Sequence, residues 1–81
     1  MTLYELKKVM SFRQELVIFS MDRDGDETEI FDGLKEDCPE ELEDFEVVTV
    51  EADVEVNDRP IKNTIHGVLV VILDEVPDGY L

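Results

Sequence analysis

The sequence predicts an α+β domain in which an N-terminal helix packs on a four-stranded, mainly antiparallel sheet, with a short helix between two hairpins. Three observations predict this fold. Apolar residues recur at helical spacing at the N-terminus. Farther along, apolar residues form strand-like runs, and turn-forming residues separate these runs. At 81 residues the chain is expected to form one domain, 1–81, whose residues 74–81 make an acidic tail that can be flexible.

The first predicted element is a helix at about residues 2–11. Thr2 and Glu5 have the spacing of a capping box, in which each side chain accepts a hydrogen bond from the other residue's backbone N–H. Apolar residues then recur at helical spacing and form a stripe that needs a sheet to cover it. This stripe consists of Leu3, Leu6, Val9 and Met10.

A hairpin is predicted next. Residues 16–21 are apolar on both faces, which predicts a central strand. Asp24-Gly25 follows as a turn signal, because glycine adopts a positive φ at little steric cost. Residues 26–31 are expected to return as the second strand, which Asp32-Gly33 ends.

The second half predicts a short helix and another hairpin. Pro39 suits the first position of a helix at 39–44, in which Leu42 and Phe45 face inward. Residues 46–56 alternate with a period of two, which predicts a half-buried strand, and a turn is expected at 57–60. Residues 64–73 then form the last strand, antiparallel to 46–56. The apolar face of the alternating strand comprises Val48, Val50, Ala52, Val54 and Val56.

Net charge is the strongest compositional signal. The chain has 22 acidic residues against 7 Lys or Arg, a formal charge of −15. Residues 22–46 alone hold 13 acids against Arg23 and Lys35. This charge argues against direct binding to nucleic acid or anionic lipid, whose phosphates would be repelled, and favours basic protein surfaces.

Several other classes of protein are disfavoured. No run approaches the roughly 20 apolar residues of a membrane helix, and no secretory signal is apparent, so a soluble, intracellular protein is expected. Asp22, Asp24 and Asp26 start like a calcium loop, but Glu27 stands where that loop needs glycine and Gly33 where it needs glutamate. A hairpin turn with solvated acids is therefore expected, and no metal site.

Catalysis is not expected either. Cys38 and His66 could form a nucleophilic pair, but the acids around Cys38 disfavour its thiolate. An inert cysteine capping the short helix and a strand histidine are the plainer interpretation. Paired carboxylates need an apolar pocket to act as acid and base, and these acids fall on turns and outward strand positions. The sequence thus predicts neither an enzyme nor a cofactor.

One group of proteins resembles the first half of the chain. The shared features are an N-terminal helix, a strand, an acidic turn, a second strand and a Pro-Glu-Glu-Leu segment. The residues that carry them are Leu3, Leu6, Val17, Ile18, Asp22, Asp24, Gly25, Phe31, Gly33, Pro39, Glu40, Glu41 and Leu42. This pattern resembles small acidic proteins encoded by phages and mobile elements of Gram-positive bacteria. The resemblance implies a source more than an activity, and it carries no catalytic residues.

Two functions follow from these observations. In the first, the protein mimics nucleic acid and inhibits a defence enzyme of the host by occupying its basic nucleic-acid-binding surface, as anti-CRISPR and anti-restriction proteins do. In the second, it is a small structural or interaction domain whose acids only confer solubility, and contact is made by apolar surface or a strand edge, for instance in a homodimer. The predicted contact residues are Asp22, Asp24, Asp26, Glu27, Glu29, Asp32, Glu36, Asp37, Glu40, Glu41, Glu43, Asp44, Glu51, Asp53 and Glu55.

Overall fold

The protein is a four-stranded mixed sheet with a short helix and two 3₁₀ turns. The structure is a computed structural model that describes residues 1–11, 13–57 and 64–77, without the side chains of 54–57 and 64–66. The predicted α+β composition and the four strands agree with it. The elements are α1 (Leu3–Lys8), β1 (Glu15–Met21), β2 (Glu27–Leu34), 3₁₀ turns at Lys35–Asp37 and Glu40–Leu42, β3 (Val47–Asn57) and β4 (Thr64–Asp74).

The sheet order is β2-β1-β4-β3, and the two hairpins meet along a parallel central pair. Glu15 lies beside Val68 at one end of this pair, and Met21 lies beside Asp74 at the other. The prediction of a mainly antiparallel sheet is therefore wrong. Both central strands have the continuous apolar runs that strands buried on two faces require, and such runs do not fix strand direction. The predicted antiparallel pairing of the last two strands is confirmed.

Helix α1 begins at the predicted capping box. The hydroxyl of Thr2 accepts a hydrogen bond from the backbone N–H of Glu5, and the Glu5 carboxylate accepts one from the N–H of Thr2. The helix ends at Lys8, earlier than predicted. Val9 is its C-cap and is 80% exposed, so this member of the predicted stripe does not pack inward.

The hydrophobic core lies on one face of the sheet. Strand alternation points Leu16 and Ile18 of β1 and Val71 and Leu73 of β4 to this face. Leu3 of α1 covers them together with Leu42 and Cys38 from the segment between β2 and β3. These three side chains close the single hydrophobic core of this small domain.

The helix predicted at 39–44 is a single 3₁₀ turn, Glu40–Leu42. The carbonyls of Glu43 and Phe45 accept hydrogen bonds from the N–H groups of Tyr4 and Leu3, both at 3.0 Å. These bonds tie the residues that follow the turn to the start of α1. The inward positions of Leu42 and Phe45 are confirmed, since Leu42 is fully buried and Phe45 packs on the core.

Strand β3 alternates as predicted but is not half-buried on its apolar side. Val48 is 46% exposed and Val50 is 41% exposed, and Ala52 is exposed as well. Two causes account for this difference. A bulge displaces Val48 from the register, and β3 is an edge strand that the six residues of α1 do not reach. The side chains of Val54 and Val56 lie outside the described part of the chain, as do residues 58–60 of the predicted turn.

The end of β4 is joined to β1. The Ser20 hydroxyl accepts a hydrogen bond from the N–H of Val76 at 2.9 Å and donates one to its carbonyl at 3.3 Å. Val76 packs against the core. Of the predicted tail, residues 74–77 are therefore placed next to β1, and 78–81 lie outside the described residues.

The hairpin loop between β1 and β2 depends on Gly25. Its φ is +85°, and a Cβ added there would meet no atom within 4 Å. Gly25→Ala is therefore expected to lower the free energy of unfolding by about 1 kcal/mol, through the left-handed backbone alone. Urea denaturation measures this loss.

Gly67→Ala is the matched control for this substitution. Gly67 also has open space around its Cα, but it lies in β4 without a positive φ. Alanine there is expected to leave stability unchanged or to raise it slightly. Equal losses at both positions would contradict the backbone explanation.

Candidate partner-binding surface

The predicted acidic contact residues do not form one surface. The structure divides them among one end of the sheet, its two opposite edges, and the segment between β2 and β3. These places differ in exposure and in the number of nearby lysines, so each is described in turn.

The first group, called here the acidic end, lies where β1 and β4 terminate. The parallel pairing brings the end of β4 beside the end of β1, and the N–H of Glu75 donates to the carbonyl of Met21 at 2.9 Å. The start of β3 joins them, since the N–H of Asp74 donates to the carbonyl of Glu46 at 3.0 Å. The exposed acids of this end are Asp22, Asp24, Asp26, Glu27, Glu46, Asp74 and Glu75.

The hairpin loop of the acidic end is held by its own carboxylate. Oδ1 of Asp22 accepts hydrogen bonds from the backbone N–H groups of Asp24 and Asp26, each at 2.9 Å. The N–H of Asp22 also donates to the carbonyl of Asp26 at 3.0 Å. The acids of the loop therefore project from a backbone with a defined conformation.

The acidic end has seven carboxylates and two paired cations, which leaves a net charge below that of a duplex of the same length. Its carboxylates occupy the ends of four strands, which span about 14 Å at the usual spacing between strands. A DNA duplex presents about eight phosphate charges over that length. Two cations offset part of the charge: Arg23 donates to Glu75 at 3.2 Å, and the N-terminal ammonium donates to Glu46 at 3.1 Å.

The strand acids lie on opposite edges of the sheet. Asp32 of β2 is opposite Val17, which lies beside Val70, and Val70 is opposite Glu51 of β3. About 14 Å of apolar sheet thus separates Asp32 from Glu51. Glu29 shares the edge of Asp32, and Asp53 and Glu55 share the strand of Glu51. The side chain of Glu55 is outside the described part. Glu51 and Asp53 therefore do not share a surface with Glu29 and Asp32.

The acids between β2 and β3 lie near lysines. Glu36, Glu40 and Glu43 line an open cleft of about 290 Å³ together with Lys7, Lys8, Lys35, Tyr4 and Cys38. Asp37, Glu41 and Asp44 of the same segment are exposed. Because three of the chain's few lysines converge on this cleft, the acids there present less net negative charge than those of the acidic end.

Each lysine of the cleft has a partner. Lys7 Nζ lies 2.8 Å from Glu43 Oε1, and the two side chains are only 11% and 25% exposed. Lys35 Nζ donates to the carbonyl of Met10 at 3.3 Å. Lys8 Nζ lies 4.4 Å from the centre of the Tyr4 ring, within the range of a cation–π contact.

Cys38 has the character of a buried structural cysteine. Its side chain is 6% exposed and belongs to the core, with Sγ 3.9 Å from the carbonyl oxygen of Pro39. Burial raises the pKa of the Cys38 thiol, nearby Glu43 raises it further, and Lys7 opposes both. Such a thiol is a poor nucleophile at neutral pH. His66 lies in β4 opposite Glu55, towards the end of the β3–β4 hairpin that is remote from the acidic end.

The described residues hold neither a cluster suited to a metal ion nor a helix suited to a membrane. Among the described residues, no three His, Cys, Asp or Glu side chains are placed to hold a metal ion together. Within the same part of the chain, no helix is long and apolar enough to cross a membrane.

Sequence reasoning missed Glu46, Asp74 and Glu75 as members of the acidic end. Glu46 was the boundary of the acidic cluster, and the other two fell in the predicted tail. Their position depends on the parallel pairing of β1 and β4, because an antiparallel β4 would end at the opposite side of the sheet. No local pattern in the sequence signals that direction.

The chain matches no known family. A scan against protein-family models, a search of curated proteins and a search of solved structures each find no match.

Proposed function

We propose that this chain is a non-enzymatic acidic binding protein of the type encoded by phages and mobile elements. It inhibits a nucleic-acid-handling defence enzyme of the bacterial host, in the cytoplasm, by occupying that enzyme's basic nucleic-acid-binding surface. Anti-CRISPR and anti-restriction proteins form the corresponding class. The observation that carries the proposal is the convergence of seven exposed carboxylates at the acidic end.

The charge exceeds what solubility requires. A net charge of magnitude about 2–8 keeps a small domain soluble, and this chain has −15. Concentrating like charge at one end of a sheet costs self-repulsion in the folded state. A basic groove would relieve that repulsion on binding, and the long-range attraction would speed association.

A second candidate function is an interaction domain whose contact is apolar and whose acids only solubilise it. The exposure of Val48 and Val50 on the edge strand favours it. The two functions differ in their response to salt. Docking of exposed carboxylates on a basic groove weakens steeply between about 50 and 200 mM salt because salt screens the attraction, whereas apolar docking changes little.

The test captures host proteins on the immobilised chain at low salt and elutes them with duplex DNA. We expect a nucleic-acid-binding enzyme that DNA displaces, because the carboxylates and the phosphates compete for one basic surface. Raising the salt to about 200 mM is expected to release the same enzyme. The activity of the captured enzyme on its nucleic acid, with and without the chain, then measures inhibition.

Two variants of equal net charge serve as matched controls. Asp24→Asn, Asp26→Asn and Glu27→Gln together remove three of the seven carboxylates of the acidic end, and this variant is expected to lose the enzyme. Glu36→Gln, Glu40→Gln and Glu41→Gln remove the same charge from the segment between β2 and β3, and this variant is expected to retain it. Capture that survives high salt and excess DNA, or that both variants lose equally, would contradict the proposal.

A further inference from the structure

The two edge strands of the sheet, β2 and β3, differ in how polar and apolar side chains are distributed over their two faces. β2 begins with Glu27, Thr28 and Glu29, all exposed, so this edge presents polar side chains on both faces. β3 presents acids on one face and apolar residues on the other, and Val50 there is 41% exposed. Charged side chains commonly keep an edge strand from pairing with another chain. On β3 such side chains occupy one face only.

The outer edge of β3 can accept a further strand. β3 is an 11-residue strand that pairs with β4 on one side and ends the strand order on the other. At its start the N–H of Val47 donates to the carbonyl of Met1 at 2.8 Å, so the edge offered to a further strand begins at Thr49. Alternate N–H and C=O groups of an edge strand point away from the sheet and can bond an extended chain. α1 does not cover the Val50 and Ala52 side chains next to this edge, so an added strand would bury their apolar surface.

The charge on β3 determines which strand fits. In a continuous sheet, an added strand places its side chains opposite those of β3 on the same face. A second copy of this chain, paired through β3, would set Glu51 and Asp53 opposite the same acids, and like charges directly opposite are destabilising. Basic side chains at those positions would be attracted instead.

We propose that the outer edge of β3 binds an extended segment of a partner protein in which basic and apolar residues alternate. The basic side chains lie beside Glu51, and the apolar side chains cover Val50 and Ala52. Backbone hydrogen bonds to β3 supply the affinity, and the alternation selects the segment. This edge is distinct from the acidic end. Binding at the edge can therefore be tested independently of the proposed function.

The test uses two synthetic capped peptides of the same composition, four lysines and three valines. In the first the residues alternate, and in the second the valines are adjacent. Amide hydrogen exchange of the full chain is followed with saturating peptide. We expect the alternating peptide to protect alternate amides of residues 49–53 and to bind about tenfold more tightly than the second peptide.

A pair of valine substitutions separates the edge from general attraction. Val50→Ser is expected to weaken the alternating peptide about threefold, since it removes apolar surface that the added strand buries. Val9→Ser changes a valine that is 80% exposed beyond the end of α1, and it is expected to leave affinity unchanged.

Two results would overturn the inference. Equal affinity for both peptides without amide protection would mean that only charge attracts them. Protection of the same amides without any peptide, in a species that sedimentation shows to be a dimer, would mean that a second copy covers the edge.

Discussion

Replacing Leu42 by Ala is expected to lower the free energy of unfolding by about 2–5 kcal/mol. Leu42 is fully buried, and it is the side chain by which the second 3₁₀ turn contacts the core. The turn is tied to α1 by the hydrogen bond from Tyr4 to Glu43, so it cannot easily collapse into the space left by the missing methyl groups. The cavity therefore remains, and its cost adds to the lost burial.

This loss is large for a domain of 81 residues. The free energy of unfolding of a native domain is only about 5–15 kcal/mol. Leu42→Ala is therefore expected to leave a protein that is partly unfolded in mild urea. Val48→Ala is the control, because Val48 is 46% exposed at the bulge of β3 and should change stability by no more than about 0.5 kcal/mol. Urea denaturation followed by circular dichroism measures both. A loss below about 1 kcal/mol for Leu42→Ala would mean that the turn does relax into the cavity.

Local signals in the sequence predicted the elements well. The Thr2–Glu5 capping box and the Asp24-Gly25 turn each depend on residues close together in the chain, and each forms as predicted. The antiparallel pairing of β3 and β4 also follows from one short connection. In these cases, the hydrogen bonds that define the element are made within it.

Features that depend on distant contacts could not be predicted in this way. The parallel pairing of β1 with β4 joins segments about fifty residues apart, and the apolar runs of both strands fit either direction. The predicted helix at 39–44 is one 3₁₀ turn, and the residues that follow it bond the start of α1, about forty residues away in the chain. The exposure of Val50 likewise follows from where the six-residue α1 ends.

In the candidate surface too, the features set by neighbouring residues were predictable and those set by distant contacts were not. The acids of the hairpin loop are exposed together, as their spacing predicts, and Asp22 orders them. The acids of β2 and β3 are separated because the sheet order places the two strands at opposite edges. Glu46, Asp74 and Glu75 join the loop only through the parallel pair. Sequence reasoning could therefore identify the charge but not its distribution.

The partly buried ion pair between Lys7 and Glu43 provides the second prediction of a large effect. Lys7→Met is expected to lower the free energy of unfolding by about 1–2 kcal/mol, because it leaves the Glu43 carboxylate, 25% exposed, without its partner 2.8 Å away. Glu36 and Glu40 line the same cleft and add repulsion. Glu43→Gln in the Lys7→Met background is expected to recover part of the loss, and a double-mutant cycle is expected to give a coupling of about 1 kcal/mol.

Lys8→Met is the control that separates this pair from the general repulsion of an acidic chain. It changes the net charge as Lys7→Met does, but Lys8 is exposed and lies over the Tyr4 ring. Lys8→Met is expected to lower the free energy of unfolding by less than about 0.5 kcal/mol. Sodium chloride screens exposed charges more than buried ones, so about 0.5 M salt should reduce the effect of Lys8→Met and leave most of that of Lys7→Met. Equal losses for the two variants, both removed by salt, would assign the effect to net charge rather than to the bond with Glu43.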